Sequence, residues 1–322
     1  MNVLVTGGAG YIGSHACKYL AGRGIVPISF DNLSRGHAWA VQWGPLEIGD
    51  VRDQERIQQV LQTYRPEVVL HFAALAYVGE SVINPSIYFD NNITGSISLL
   101  NAMLAEGVHK IVFSSSCTTY GTPENLPILE SASQNPVSPY GLSKLMVEKI
   151  IHAYANAYGV RSVTLRYFNA CGADPEGHTG ECHDPEPHLV PLALAAADSG
   201  RELEIFGTDY PTPDGTCIRD YVHVSDLARA HGLAVDYLIA DGSTKYMNLG
   251  TGVGVSVREV IRAVEEVTGR QVPARFGARR PGDCPELVAN AELAGRILDW
   301  KAEYIDIKKM VLDAWKWRCS RS

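Results

Sequence analysis

The segment VLVTGGAGYIGSH, residues 3–15, places a cluster of glycines between an apolar strand and the start of a helix. Gly7, Gly10 and Gly13 have the spacing G-x-x-G-x-x-G. Glycines at such a junction let the backbone approach a pyrophosphate, whose charge the amide groups of the helix N-terminus stabilise. A glycine cluster also suits a plain turn, but its position between the first strand and the first helix predicts a dinucleotide-binding unit.

Short β-branched runs alternate with amphipathic stretches on both sides of this segment, up to about Asn169. The predicted strands are apolar along their whole length, as expected of a parallel sheet that is covered by helices on both faces. The expected strands are NVLVT, VPISF, EVVLHF, KIVFSSS and SVTLRYF, with helices between them. This rhythm predicts a Rossmann-like, doubly wound parallel α/β domain that binds a dinucleotide and covers residues 1–169.

The pattern changes after Asn169, where CGADPEGHTGECHDPEPH (171–188) predicts a long irregular loop. Beyond it, PHLVPLALAAADSG predicts a helix closed by Gly200, and ELEIFG predicts a strand. Ser256 and Glu259 have the spacing of a capping box before a helix that ends at Gly269. Residues 170–322 are therefore expected to form a smaller mixed α/β domain.

Composition excludes several classes of function. The 322 residues are 46% hydrophobic and carry a formal net charge of -8, so nucleic acid and anionic membranes are not expected partners. We find neither a signal peptide nor a stretch of ~20 apolar residues. The seven cysteines include no C-x-x-C pair, which suits free thiols in the cytoplasm.

Asp31 indicates which dinucleotide binds. It ends the second predicted strand, 18 residues after Gly13, where a carboxylate can accept hydrogen bonds from the ribose hydroxyls and repel a 2′-phosphate. NAD is therefore expected rather than NADP. An ordinary turn-forming Asp is the alternative, and the nearby Arg35 leaves an opening for a phosphate. Asp50 ends the next strand, where it could meet the adenine amine or simply form a turn.

The segment SPYGLSK, residues 138–144, places Tyr140 and Lys144 one helical turn apart. An adjacent cation favours the phenolate, so we expect Lys144 to lower the pKa of Tyr140 and make it a general base. A solvated helix face is the alternative for this pair taken alone. Ser116, at the end of an earlier strand, could hydrogen-bond a reacting oxygen or be an ordinary strand-end hydroxyl.

Together these features resemble the extended short-chain dehydrogenase/reductase family, and the resemblance covers the whole chain. Within that family, the closest likeness is to enzymes that invert C4 of UDP-sugars. The matching segments are FDN, GDVRD, HFAA, YVGESV, DNN, FSSSCTTYG, SPYGLSK, LRYFNACGA, IFGTDYPTPDGTCIRDYVHV, NLGTG and RRPGD.

The resemblance implies that NAD stays bound, that Tyr140 takes the proton from the C4 hydroxyl, and that Lys144 and Ser116 assist. C4 is oxidised, the keto sugar turns over in the site, and reduction of the other face inverts C4. UDP-glucose and UDP-galactose are the expected pair, and a homodimer is expected. The resemblance also implies that residues 170–322 form the nucleotide-sugar substrate domain, with some chain exchange between the two domains. The alternatives are other UDP-sugars (N-acetylhexosamines or pentoses), dehydration of a nucleotide sugar, or an inactive NAD-binding protein.

Further contacts are implied by the same resemblance. Those to the cofactor are Gly7, Gly10, Tyr11, Ile12, Gly13, Asp31, Asn32, Asp50, Val51, Phe72, Ala73, Asn91, Ser114, Tyr140, Lys144 and Tyr167. Those to the substrate are Ser116, Tyr140, Asn169, His188, Leu189, Phe206, Arg219, Arg280 and Asp283. Two positions depart from the family: Ala76 replaces a lysine of some members, and His188 replaces an asparagine of others.

Residues 117–119 separate epimerisation from dehydration. Related dehydratases resemble T-D-E or T-S-E there, with acids for later proton transfers, whereas this chain has Cys117, Thr118 and Thr119. Cys117 could be proposed as a nucleophile, but no paired base is evident. Leu287, four positions after Asp283, is expected to bound the sugar pocket and to slow N-acetylated substrates.

Metal binding is a further alternative for the loop that follows residue 170. Its residues would be Cys171, His178, Cys182, His183 and His188, whose spacing fits no C-x-x-C zinc pattern. We therefore predict no metal, and a loop on the substrate side explains these residues better.

Overall fold

The computed structural model describes residues 1–279 and 283–321. Its strands are β1 Asn2–Thr6, β2 Val26–Asp31, β3 Leu46–Ile48, β4 Val68–His71, β5 Lys110–Ser116, β6 Arg161–Tyr167, β7 Asn169–Cys171, β8 Leu203–Phe206, β9 Ile218–His223, β10 Lys245–Leu249, β11 Gly254–Ser256, β12 Ala274–Gly277 and β13 Glu286–Leu287. Its helices are α1 Tyr11–Gly22, α2 Gln54–Tyr64, α3 Val78–Ile83, α4 Pro85–Tyr88, α5 Gly95–Ala105, α6 Pro139–Tyr158, α7 Leu189–Ser199, α8 Val224–Ile239, α9 Val257–Thr268, α10 Glu292–Leu298 and α11 Ile307–Ser320. None of these helices is long and apolar enough to cross a membrane.

A seven-stranded parallel sheet in the order β10-β6-β5-β4-β1-β2-β3 forms the larger part of the fold. The Rossmann-like prediction is confirmed. Because all the strands are parallel, their carboxyl ends lie at one edge of the sheet. The chain order reverses direction between β1 and β4, and the crevice at such a switch point is where α/β sheets bind ligands.

Alternate residues of each strand pack into separate cores on the two faces of this sheet. In β1, Val3 and Val5 belong to one core, while Leu4 belongs to the other. Helices α1, α8 and α10 contribute to the first core, and α2, α5 and α6 contribute to the second. Burial of each such Val or Leu stabilises the fold by ~1.5–3 kcal/mol, which explains why the strands are apolar throughout.

The smaller part of the chain is mixed α/β, as predicted. Strand β9 pairs antiparallel with β11 and parallel with β7 and β13, and β8 pairs with β12. Helices α7, α9 and α11 pack with them around a third core. The predicted capping box at Ser256 and Glu259 is present, and Gly200 and Gly269 end their helices in the left-handed conformation.

Several elements after residue 170, among them helix α10, return to the first sheet. Strand β10 pairs with β6, and helix α8 packs in the core that lines one face of the sheet. At Gly232, α8 approaches Tyr19 of α1 so closely that a Cβ would lie 2.3 Å from the tyrosine ring. Sequence analysis did not predict α8 or the place of β10. Its boundary at residue 169 stays a prediction.

Candidate functional site

The glycine loop joins β1 to α1 at the carboxyl edge of the sheet. Gly7 has φ +75°, and a Cβ there would lie 2.7 Å from the backbone nitrogen of Ala73. A Cβ on Gly13 would lie 2.1 Å from the carbonyl oxygen of Gly7. Gly10 precedes α1 and makes no side-chain cap. The first-turn amides of α1 are thus left without a side-chain partner beside a backbone cradle, which fits a pyrophosphate.

Asp31 is held rigidly at the end of β2. Its carboxylate accepts hydrogen bonds from the backbone nitrogens of Ala9 at 3.1 Å and Leu33 at 2.8 Å. Burial raises the pKa of Asp31, while these two hydrogen bonds oppose the rise. The carboxylate therefore lies beside the glycine loop, in the position expected for recognition of a ribose.

Arg35 is engaged away from Asp31. Its guanidinium pairs with Glu80 at 2.7 Å and lies 4.8 Å from the centre of the Tyr77 ring. This arrangement weakens the NADP alternative, because Arg35 was its only proposed phosphate partner. Asp50 has its own partners, since Arg52 holds the pKa of its carboxyl well below the usual range and Asn32 donates to it at 3.0 Å.

Most other expected cofactor residues lie at or near the carboxyl ends of the central strands. Phe72 and Ala73 follow β4, and the Ser114 hydroxyl donates to Tyr167 Oη at 3.0 Å. The remaining ones are Tyr11 and Ile12 in the first turn of α1, Val51 after β3, and Asn91 in the π-helical turn Phe89–Thr94. The side chain of Tyr11 is directed elsewhere, because its hydroxyl donates to the Gly172 carbonyl at 2.6 Å.

Tyr140 is positioned by the start of α6. Ser138 caps the helix by accepting from the Gly141 backbone nitrogen at 3.1 Å, and Pro139 occupies its first turn. A Cβ on Gly141 would lie 2.6 Å from the carbonyl oxygen of Thr118, so glycine lets the first turn pack against the residues after β5. This brings Tyr140 close to Ser116 at the end of β5, and the Ser116 hydroxyl lowers the pKa of Tyr140, in opposition to burial.

Lys144 lies one turn further along α6 and is buried. Its Nζ donates to the carbonyl oxygen of Ser114 at 2.8 Å and lies 5.9 Å from the centre of the Tyr140 ring. Burial lowers the pKa of Lys144 to about 7, opposed by the charge of Glu148. The solvated-face alternative for this pair is therefore wrong.

The expected direction of the Tyr140 pKa is also wrong. Burial, with a smaller contribution from Tyr167, raises the pKa of Tyr140 well above its ordinary value, and the hydrogen bond with Ser116 only partly opposes this. The physical reason is desolvation. Removal from water disfavours the charged phenolate, and one ammonium that is itself buried does not compensate for this loss.

Asn92 is a positioning residue that sequence analysis missed. Its side chain donates to the Leu75 carbonyl and to Ser143 Oγ, each at 3.0 Å, and accepts from the Leu75 nitrogen at 2.8 Å. Ser143 in turn donates to the Tyr140 carbonyl at 2.7 Å. The π-helical turn is a further signal, since such turns are frequent at functional sites.

The expected substrate residues come from the smaller part of the chain. Arg219 in β9 donates to the carbonyls of Ile218 at 2.8 Å and Cys284 at 2.9 Å, and lies 3.9 Å from Asp283. The others described are Asn169 in β7, His188 and Leu189 at the start of α7, and Phe206 at the end of β8. Arg280 lies outside the described residues.

Four side chains of the loop before α7 form a compact cluster: Glu181, His183, Glu186 and His188. Burial lowers the pKa of both histidines, but the two carboxylates outweigh this effect. The pKa of His188 rises to about 10 and that of His183 to about 9. Of the five residues in the metal alternative, only these two histidines belong to this cluster. Of the others, Cys171 is buried at the end of β7, His178 belongs to a second cluster with Asp174 and Glu176, and Cys182 belongs to neither cluster.

The sequence profile of the NAD dependent epimerase/dehydratase family matches residues 3–250. The chain is 50% identical to the UDP-glucose 4-epimerase of Rhizobium meliloti (strain 1021) over 322 residues, which is 100% of this chain and 98% of the relative.

Solved structures give the same likeness. The UDP-glucose 4-epimerase from Brucella ovis, in complex with NAD, has a TM-score of 0.96 and 52% identity, covering 98% of this chain and 97% of the other. The UDP-glucose 4-epimerase from Bifidobacterium longum, in complex with NAD+ and UDP, has a TM-score of 0.94 and 39% identity, covering 99% of this chain and 98% of the other.

Proposed function

The chain belongs to the NAD dependent epimerase/dehydratase family, and on that basis we propose that it interconverts UDP-glucose and UDP-galactose by inverting C4 of the sugar. One observation carries the proposal. Tyr140, Ser116 and Lys144 converge at the end of β5, on the same sheet edge as the glycine loop, and residues 117–119 include no acid.

The glycine loop and Asp31 are proposed to hold NAD as a prosthetic group. The uncapped amides of α1 would bind the pyrophosphate, and Asp31 would accept from the adenosine ribose. When bound, NAD supplies a reversible two-electron oxidation of the sugar at C4.

Tyr140 Oη is proposed to take the proton from the C4 hydroxyl and to return it after the sugar has turned. Ser116 Oγ lies within hydrogen-bonding reach of Tyr140 and would hold the reacting oxygen. Its partner Thr118 donates to it through both the backbone nitrogen at 3.2 Å and the hydroxyl at 3.0 Å, which leaves Ser116 free to donate its own proton. Burial alone keeps Tyr140 protonated, so the phenolate requires positive charge beside it, which Lys144, with a pKa near 7, and the bound nicotinamide would supply.

The smaller part of the chain is proposed to hold the UDP moiety. Arg219 and Arg280 would bind the diphosphate, Phe206 would pack on the uracil, and Asp283 would accept from the ribose. Residues 1–169 would then bind NAD and 170–322 mainly the substrate, with α8 and β10 returning to the first sheet.

The residues after Ser116 favour epimerisation over dehydration. Burial raises the pKa of Cys117 to about 12, which makes it a poor nucleophile and a poor proton donor. The Thr119 hydroxyl donates to the Ser116 carbonyl at 3.0 Å. Elimination across C5 and C6 would therefore lack an acid at the positions where related dehydratases supply one.

Incubation with UDP-galactose and no added nucleotide tests the proposed reaction. We expect UDP-glucose to form at equilibrium without net formation of NADH, measured by anion-exchange chromatography and absorbance. A 4-keto-6-deoxy product would instead indicate dehydration, and absence of any product from protein that contains NAD would support the inactive alternative.

Leu287 is proposed to limit N-acetylated substrates. It lies opposite Arg219 in the β13–β9 pairing and is mostly buried in the first core. We expect Leu287→Tyr to lower, and Leu287→Ser to raise, the activity on UDP-N-acetylglucosamine relative to UDP-glucose by roughly 10–100-fold. Steady-state kcat/KM for both substrates measures the ratio. Equal ratios in both variants would exclude Leu287 as a determinant.

A homodimer is proposed from apolar residues that the single chain leaves exposed on two neighbouring helices. These residues include Leu142 and Met146 on α6 and Val82 and Ile83 on α3. We expect light scattering to give twice the chain mass of 35.0 kDa, and Met146→Glu to shift it toward one chain. A wild-type monomer would contradict this proposal.

The seven free cysteines further support the cytoplasm as the location of the protein, which cell fractionation would test.

A further inference from the structure

The cluster of Glu181, His183, Glu186 and His188 has no role in the proposed reaction beyond the substrate contact expected of His188. His188 Nδ1 lies 2.6 Å from Glu181 Oε1 and 3.1 Å from Glu186 Oε1. His183 Nδ1 lies 3.2 Å from Glu181 Oε1 and 3.6 Å from Glu186 Oε2. Each residue offers one ligand atom, and all four atoms lie within 4.8 Å of one another.

These separations are those of ligands around one tetrahedral ion. Zinc bonds to His nitrogen and carboxylate oxygen measure about 2.0–2.2 Å, so the ligand atoms of a tetrahedral site lie ~3.3 Å apart. The four nitrogen–oxygen separations, which involve both carboxylate oxygens of Glu186, range from 2.6 to 3.6 Å, so only the shortest, that of a hydrogen bond, must lengthen when an ion binds. Two imidazoles with two carboxylates are also a donor set that suits divalent transition metals.

His183 supplies a second, independent observation. Its Nδ1 is buried and forms no hydrogen bond, although carboxylate oxygens of Glu181 and Glu186 lie near it. A buried nitrogen whose nearby acceptors are poorly aligned is costly. This nitrogen is close to both carboxylates but aligned with neither, which is the geometry expected of a ligand to an ion between them.

The backbone between the ligands is fixed from outside the loop. Trp317 Nε1 donates to the Glu181 carbonyl at 3.1 Å, the His37 ring bonds the Cys182 carbonyl at 2.9 Å, and Arg35 donates to the Asp184 carbonyl at 3.2 Å. Such contacts hold ligands in place before the metal binds. The His188 side chain is 43% exposed, which gives an ion access to the cluster.

The neighbouring cluster of Asp174, Glu176 and His178 provides a contrast. There, Lys18 Nζ already lies 2.6 Å from Asp174 and 2.6 Å from Glu176, so a cation is in place. The ion pairs of Glu181 and Glu186 in the described part of the chain are with histidines, whose ring nitrogens are themselves metal ligands once the proton leaves.

We propose that Glu181, His183, Glu186 and His188 form a binding site for a divalent transition-metal ion of the Zn²⁺ or Co²⁺ type. On binding, one proton leaves Nδ1 of each histidine and the ion takes their place, so two protons are exchanged for M²⁺ and the net charge of the cluster is unchanged. The site shares His188 with the expected substrate contacts, but its test uses the metal alone and does not depend on the proposed reaction.

Titration of metal-free protein with Co²⁺ tests the site, because tetrahedral Co²⁺ gives intense visible absorption bands. We expect one equivalent of Co²⁺ to produce these bands in the wild-type protein and one equivalent of Zn²⁺ to abolish them. Absence of tetrahedral bands in wild-type protein would overturn the proposal whatever the variants do.

Variants assign the site. We expect Glu181→Gln and His183→Asn each to weaken Co²⁺ binding more than ~100-fold, the upper range for removal of an outer contact. His178→Asn, in the neighbouring cluster, is the matched control and should keep the wild-type spectrum. Circular dichroism confirms that each variant is folded. Bands that survive in both cluster variants, or that disappear in His178→Asn, would show that the ion binds elsewhere and overturn the proposal.

Discussion

The Tyr140→Phe variant is expected to lose about 10²–10⁴-fold in kcat for UDP-galactose, the usual contribution of a positioned general base. The phenol oxygen is the only atom removed, and the ring remains packed against Tyr88 at a centroid distance of 6.5 Å. Binding of UDP should therefore change little, so the loss should appear in kcat and hardly in KM. Stopped-assay kinetics and calorimetric titration with UDP measure the two quantities.

Tyr158→Phe is the matched control, since Tyr158 is the exposed last residue of the same helix. It should keep wild-type kinetics. A Tyr140→Phe variant with kcat within tenfold of wild type would exclude Tyr140 as the base. Loss of UDP binding in the same variant would mean instead that the hydroxyl is needed to bind substrate.

Gly13→Ala is expected to remove NAD from the purified protein. The new Cβ would lie 2.1 Å from the oxygen and 2.9 Å from the carbon of the Gly7 carbonyl, both backbone atoms that cannot rotate away. The loop must therefore open, at a cost greater than the ~1.4 kcal/mol that changes affinity tenfold. We expect wild-type protein to retain NAD through gel filtration and the variant to retain at least ~10-fold less, measured by absorbance after denaturation.

Gly22→Ala provides the control in the same helix, because nothing lies within 4 Å of a Cβ at that position. It should keep its NAD. Full NAD content in Gly13→Ala would mean that the loop does not bind the pyrophosphate. Wild-type protein that is purified without cofactor and prefers NADP would contradict the role of Asp31 as well.

The first half of the fold could be predicted because its information is local. Strands β1, β2, β4, β5 and β6 are largely apolar runs, and helix α6 begins after Ser138, whose side chain caps it. Strand β10 could not be placed, because its residues do not specify which sheet they join. Its place at the edge of the first sheet is fixed by its pairing with β6, a strand that precedes α8 in the chain.

The candidate site was predictable as a set of residues but not as an electrostatic environment. Tyr140 and Lys144 share a helical face through sequence spacing alone. The depth of their burial depends on tertiary packing, which is why the expected direction of the Tyr140 pKa was wrong. Glu181 and Glu186 could not be predicted as members of the histidine cluster, because zinc patterns in sequence are defined by the spacing of cysteine and histidine. The two carboxylates lie two or three residues from the histidines.

The pairing of β6 with β10 has a consequence for the order in which the protein folds. Val163 of β6 lies opposite Lys245 of β10, so β6 is synthesised long before the strand with which it pairs. Until residue 249 has left the ribosome, β6 is an edge strand with free hydrogen-bonding groups, the kind of edge that invites pairing with other chains. The larger sheet therefore cannot be completed until the chain has been synthesised through β10. This long-range pairing also has a cost in loop-closure entropy, which slows folding.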